Sequence, residues 1–66
     1  MFTVDENLKI KDIKNRALNG EVVTKEDRQW VLDMYKREGI PLLKETYDGA
    51  KEMGFDVEGI TVKTND

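Results

Sequence analysis

The chain has 66 residues, with 14 acidic and 11 basic side chains, a net charge of −3, and neither Cys nor His. This length predicts a single domain over residues 1–66, which buries only about 60% of the surface that its unfolded form exposes. Without thiols or imidazoles, neither disulfides nor a zinc site can stabilise it. We therefore expect its stability to come from helical packing, from a partner, or from both.

The composition also bears on function and location. Without imidazole or thiolate, the chain lacks the most common general base and the thiolate nucleophile. We expect no enzyme, and no cofactor, metal or small-molecule substrate. No apolar run approaches the roughly 20 residues of a membrane span. Asp5 and Glu6 stand where the apolar stretch of a signal peptide would begin, so we expect a cytoplasmic protein without membrane contact.

The first predicted helix covers about residues 9–18. Thr3 and Glu6 have the spacing of a capping box, which marks a helix start. However, residues 8–10 also alternate as a strand does, so we begin the helix near Lys9. Asn19 and Gly20 form a favourable left-handed stop.

The second predicted helix covers about residues 25–38. Thr24 is a favourable N-cap, and Gly39 suits the left-handed position after the last turn. At about 100° per residue, its apolar side chains cover an arc of roughly 200°. These are Trp30, Val31, Leu32, Met34 and Tyr35. An arc this wide predicts packing on two sides and makes this the central helix.

The third predicted helix covers about residues 41–53, with Pro41 in its first turn. Its apolar stripe consists of Leu42, Leu43, Thr46, Tyr47, Ala50 and Met53. Gly49 lies at the edge of this stripe. Because Gly costs about 1 kcal/mol relative to Ala inside a helix, it suggests close approach of another segment.

The C-terminal tail, residues 55–64, is predicted to be extended. Its apolar residues alternate, and Gly59 shifts the alternation, which suggests a bulge or bend. A single strand needs a partner, either the N-terminal residues or another chain. The predicted fold is therefore mainly α, a small three-helix domain with an extended, β-like C-terminal tail.

The sequence favours a non-enzymatic protein-interaction module over other functions. We expect a small regulator, inhibitor or assembly accessory, of a size common in viruses and mobile elements, that binds a larger protein or self-associates. Trp and Tyr are enriched at binding hot spots, although an ordinary core role would explain the same side chains. Two contact modes are open, a Trp30/Tyr35 face in a partner's groove and Ile60–Thr64 as an added strand. The candidate protein-binding residues are Arg28, Trp30, Leu32, Tyr35, Tyr47, Ile60 and Val62.

The alternative is a nucleic-acid-binding protein, either through a basic first helix or through a helix-turn-helix-like hairpin of the second and third helices. The basic residues are Lys9, Lys11, Lys14 and Arg16. Nearby acids largely offset this charge, and nucleic-acid-binding domains usually show a basic excess. Tyr35 also stands where a helix-turn-helix motif requires a small residue. No family is recognised in the sequence.

Overall fold

The structure is a computed structural model that describes residues 1–64. Within this range the chain forms three helices and two short strands. In chain order they are α1 (Val4–Leu18), α2 (Lys25–Glu38), β1 (Leu42–Leu43), α3 (Lys44–Glu52) and β2 (Val62–Lys63). The prediction of a small, mainly α domain with three helices is confirmed. None of the helices in the described range is both long and apolar enough to cross a membrane.

Helix α1 begins earlier than predicted. The Thr3 hydroxyl accepts a hydrogen bond from the Glu6 amide at 3.1 Å, and the Glu6 carboxylate accepts one from the Thr3 amide at 2.9 Å. This reciprocal capping box starts the helix at Val4, so the strand interpretation of residues 8–10 is wrong. After Leu18 the chain turns through Gly20, whose φ of 74° is left-handed.

Helix α2 has the predicted bounds because both of its ends are specified locally. The Thr24 hydroxyl accepts from the Asp27 amide at 3.1 Å, as an N-cap does. At the other end, Gly39 has a φ of 67° and the Ile40 amide donates to the Tyr35 carbonyl at 3.0 Å. That bond closes the helix as a Schellman motif.

The third helical segment differs from the prediction at its start. Leu42 and Leu43 form β1 instead of a first helical turn, and α3 begins at Lys44. The Leu42 amide donates to the Thr61 carbonyl at 2.8 Å, and β1 runs parallel to β2 with Leu42 opposite Val62. The strand partner of the tail is therefore the residues just before α3, rather than the N-terminus or another chain.

The tail itself is mostly turn rather than strand. Only residues 62–63 are paired, and the segment before them turns at Gly59, whose φ is 85°. The turn is closed by the Ile60 amide, which donates to the Val57 carbonyl at 3.2 Å. The predicted change of phase at Gly59 is thus a turn that brings residues on both of its sides into the core.

The core joins α2 to β1 and the tail. It consists of Leu32, Leu42, Phe55, Val57 and Ile60, each at most 9% exposed. Tyr35, Tyr47 and Ala50 pack against it. Helix α1 contributes one buried side chain, Ile13, which lies outside this cluster.

Two ion pairs join helix α1 to α2. The Arg37 guanidinium donates two hydrogen bonds to the Glu6 carboxylate, at 2.6 and 3.0 Å. At the opposite end, Arg16 lies 3.3 Å from the Asp27 carboxylate. The two ion pairs fix α1 antiparallel to α2 and leave one side of α1 facing α3.

Candidate protein-binding groove

An open groove of about 450 Å³ lies between the three helices. Apolar and small side chains form its floor and both of its walls. Its main residues are Ile13 of α1, Leu32 and Tyr35 of α2, and Thr46, Ala50 and Met53 of α3. We call this surface the interhelical groove.

The concave shape follows from helical spacing and from side-chain size. Thr46, Ala50 and Met53 recur at intervals of four and three residues, so they lie on one face of α3. Gly49 belongs to the same wall, and a Cβ at its position would meet no atom within 4 Å. Because three of these four side chains are small, the α3 wall does not reach across to α1.

Basic side chains collect at one end of the groove. Lys14 and Arg28 line it directly. Lys25 lines an adjoining hollow of about 290 Å³ that shares Arg28 with the groove, and its Nζ lies 5.6 Å from the centre of the Phe55 ring. Among residues 1–64, none of these three cations forms an ion pair. The groove therefore combines an apolar surface with positive charge at the end where α1 joins α2.

Asp27, in the first turn of α2, pairs with Arg16 and not with these three cations. Burial alone would raise the pKa of Asp27, but the hydrogen bond from Thr24 and the charge of Arg16 outweigh burial and lower it. Asp27 is therefore ionised at neutral pH and pairs with Arg16 at 3.3 Å. This pair also places the C-terminal half of α1 beside the first turn of α2, which brings Lys14 and Arg28 to the same end of the groove.

Three of the predicted protein-binding residues, Arg28, Leu32 and Tyr35, line the interhelical groove. Trp30 does not. It lies five positions before Tyr35, which corresponds to about 140° around the helix. Trp30 is half-buried instead against α1, where the Lys9 Nζ lies 4.4 Å from the centre of its ring. The structure thus separates the predicted Trp30/Tyr35 face into two surfaces.

The remaining predicted protein-binding residues have places in the fold. Tyr47 is half-buried against the core, and Ile60 is only 8% exposed within it. Val62 lies in β2, paired with Leu42. The apolar side of the tail is therefore engaged within the chain.

The four basic residues of the alternative hypothesis do not share one surface. Lys9 lies over Trp30, and Arg16 pairs with two carboxylates. Lys14 lines the interhelical groove, whereas Lys11 is exposed. Two of the four charges are thus directed towards α2.

Sequence reasoning missed that the stripe of α3 is partly a groove wall rather than core. The available signal was the size of its residues, since Thr46, Gly49 and Ala50 are too small to fill a core position opposite another helix. In the part of the chain that the structure describes, no three acidic side chains converge as metal ligands would. No protein-family model, curated protein or solved structure matches the chain.

Proposed function

We propose that this protein is a non-enzymatic interaction module that binds another protein through the interhelical groove. The observation that carries the proposal is an open apolar groove of about 450 Å³ in a chain of 66 residues. A small regulator, inhibitor or assembly accessory acting in the cytoplasm would use such a surface.

The small side chains of the α3 wall support a binding role, because larger residues there would fill the groove and stabilise the free domain. A small domain has little stability to spare, and unfilled space beside a core weakens it. Larger apolar residues at Gly49 or Ala50 would close the gap between α1 and α3. The chain instead keeps small side chains there, which leaves the groove open.

A matched pair of tryptophan substitutions tests the proposal. Thr46 is exposed and lines the groove, so T46W would fill it without replacing a core side chain. Thr61 is exposed outside the groove, and T61W adds the same apolar surface there. Wild type and both variants would each serve as bait in extracts of the encoding organism, with bound proteins quantified by mass spectrometry.

The expected result is at least one protein that wild type and T61W retain and T46W loses. Purified partner and bait should then bind directly, and T46W should abolish that binding. If every captured protein binds T46W as well as it binds wild type, the groove is not the interaction surface.

A further inference from the structure

We infer that the occupant of the interhelical groove is an amphipathic α-helix of a partner protein, with acidic residues beside its apolar anchors. This inference rests on the proposed function and specifies the chemistry of the partner. Three observations carry it: the helical walls, the basic end of the groove, and the small residues along α3.

The walls favour a helical occupant over an extended one. Gly49 and Ala50 lie within α3, and Ile13 lies within α1, so the backbone amides of these three wall residues are bonded within their own helices. The carbonyls of Gly49 and Ala50 are also occupied, because they accept from the amides of Met53 and Phe55. An extended peptide would find no strand edge along these walls to satisfy its amides and carbonyls. A helix satisfies its own backbone and can place apolar side chains at positions i, i+3 or i+4, and i+7 into the groove.

The basic end favours acidic residues on that helix. Lys14, Lys25 and Arg28 approach one end of the groove from two helices, and within residues 1–64 they have no carboxylate partner. Carboxylates on the occupant would form charge-assisted hydrogen bonds with them, whereas a basic helix would be repelled. A nucleic-acid backbone fits less well, because its phosphates would meet cations only at one end of the groove and apolar side chains along the rest.

Gly49 explains how a helix could approach closely. Its backbone is helical, with no positive φ to require a glycine, and a Cβ there would have open space within 4 Å. No contact in the described chain therefore requires glycine at this position. A glycine in a helix wall allows another backbone to approach, which suits a helix lying along α3.

A second copy of the chain fits the groove less well. The exposed apolar residues Val4 and Leu8 of α1 could serve as anchors. Val4, however, lies about 180° around α1 from Ile13, which lines the groove. The anchoring face of α1 and the groove would then point in opposite directions. Copies docked in this way form a head-to-tail chain and do not close into a dimer.

Selection from two displayed peptide libraries tests the inference without a known partner. One library presents randomised positions on a stable helix, and the other presents unstructured linear peptides of equal length. Each is selected on wild type and counter-selected on T46W. We expect groove-dependent binders from the helical library, with apolar residues at i, i+3 or i+4, and i+7 and Asp or Glu beside them. Groove-dependent binders that are mainly linear, or that lack an acidic excess, would overturn the inference.

Charge reversal provides the second test. The double variant Lys14→Glu/Arg28→Glu should weaken the best acidic peptide by about tenfold, since two attractions become repulsions. Replacing the acidic residues of the peptide by Lys should restore binding to this variant. The control Lys11→Glu/Lys51→Glu makes the same change in net charge at exposed positions outside the groove. Equal loss of affinity in both double variants would contradict a specific role for the basic end.

Two results would refute the acidic helix as occupant without refuting the groove as a protein-binding surface. A native partner that is lost with T46W but unaffected by the Lys14/Arg28 reversal would leave the interaction module intact and refute the acidic helix. Sedimentation that shows self-association of the wild type, abolished by T46W, would identify a second copy as the occupant and equally refute it.

Discussion

The side-chain amide of Gln29 holds both backbone polar groups of Asp56. Its Oε1 accepts from the Asp56 amide at 2.8 Å, and its Nε2 donates to the Asp56 carbonyl at 3.0 Å. Phe55 and Val57, on either side of Asp56, are both buried in the core. One side chain of α2 thus takes the place of a neighbouring strand and keeps the tail in the conformation that buries these two residues.

Replacing this amide should destabilise the domain. Gln29→Ala removes the two hydrogen bonds between α2 and the tail, each contributing about 0.5–1.5 kcal/mol, so we expect a loss of about 1–3 kcal/mol in the free energy of unfolding. Urea denaturation followed by circular dichroism would measure it. Asp33→Ala is the control, because it removes the acceptor of the third Gln29 hydrogen bond, at 3.0 Å, and leaves both bonds to Asp56 in place. Equal losses in the two variants would show that the contact with Asp56 contributes little.

Two glycine substitutions should change stability in opposite directions. A Cβ would meet no atom within 4 Å at either Gly49 or Gly39, but Gly39 has a φ of 67° and Gly49 is helical. Gly49→Ala should therefore raise the free energy of unfolding by about 0.5–1 kcal/mol. Gly39→Ala should lower it by about 1 kcal/mol, because a side chain is strained in the left-handed region.

Thermal unfolding would resolve these changes, since about 1 kcal/mol shifts Tm by about 4–8 °C in a domain of this size. If a partner helix approaches α3 closely, Gly49→Ala should also weaken its binding while stabilising the free protein. A Gly49→Ala variant that unfolds at a lower temperature than wild type would mean that α3 packs differently at this position.

The Glu6–Arg37 ion pair should make stability fall in acid. Hydrogen bonds from Arg37, reinforced by the capping bond with Thr3, lower the pKa of Glu6 from 4.5 to about 2. The unfolded chain takes up this proton near pH 4.5, whereas the folded chain takes it up near pH 2. The stabilisation is therefore complete above pH 4.5 and is lost as the pH falls towards 2. The lowered pKa of Asp27 acts in the same direction.

A double-mutant cycle of Glu6→Gln and Arg37→Gln would isolate this pair. The coupling free energy from urea denaturation should be larger at pH 7 than at pH 2.5, because the unfolded chain already carries the Glu6 proton at the lower pH. Coupling that is equal at both pH values would show that the ion pair is not the source of the acid sensitivity.

Helix α1 should depend strongly on one apolar side chain. Ile13 is 6% exposed and is the buried residue of α1, so Ile13→Ala should cost about 2–4 kcal/mol. Ile10→Ala, at a half-buried position, should cost less. Because the main core excludes α1, amide hydrogen exchange in Ile13→Ala should accelerate more in α1 than around Leu32. Uniform acceleration would show that α1 unfolds together with the core.

Local chemistry determined where the helices begin and end. The capping residues Thr3 and Thr24 and the left-handed Gly39 act on groups within a few residues, so their effect can be read directly from the chain. The bounds of α2 were predictable for this reason. The capping box of Thr3 and Glu6 also marked the start of α1 at Val4. The prediction of a start near Lys9 was wrong because it gave more weight to the alternation of residues 8–10 than to this capping box.

Only the tertiary structure decided the start of the third segment and the path of the tail. Pro41 is compatible with a helical first turn, but the Leu42 amide instead donates to the Thr61 carbonyl, 19 positions along the chain. A hydrogen bond between such distant residues leaves no local signature. The same holds for the contact between Gln29 and Asp56, because neither residue type at its position indicates a contact 27 positions away.

The sequence determines the apolar faces that line the interhelical groove, and the tertiary structure determines the space between them. Helical periodicity predicted that Leu32 and Tyr35 share an apolar face, and that Thr46 and Ala50 share another. Whether two apolar stripes meet or remain apart depends on side-chain volume and on the angle between the helices. Periodicity is local and specifies faces, whereas the space between them arises from long-range packing.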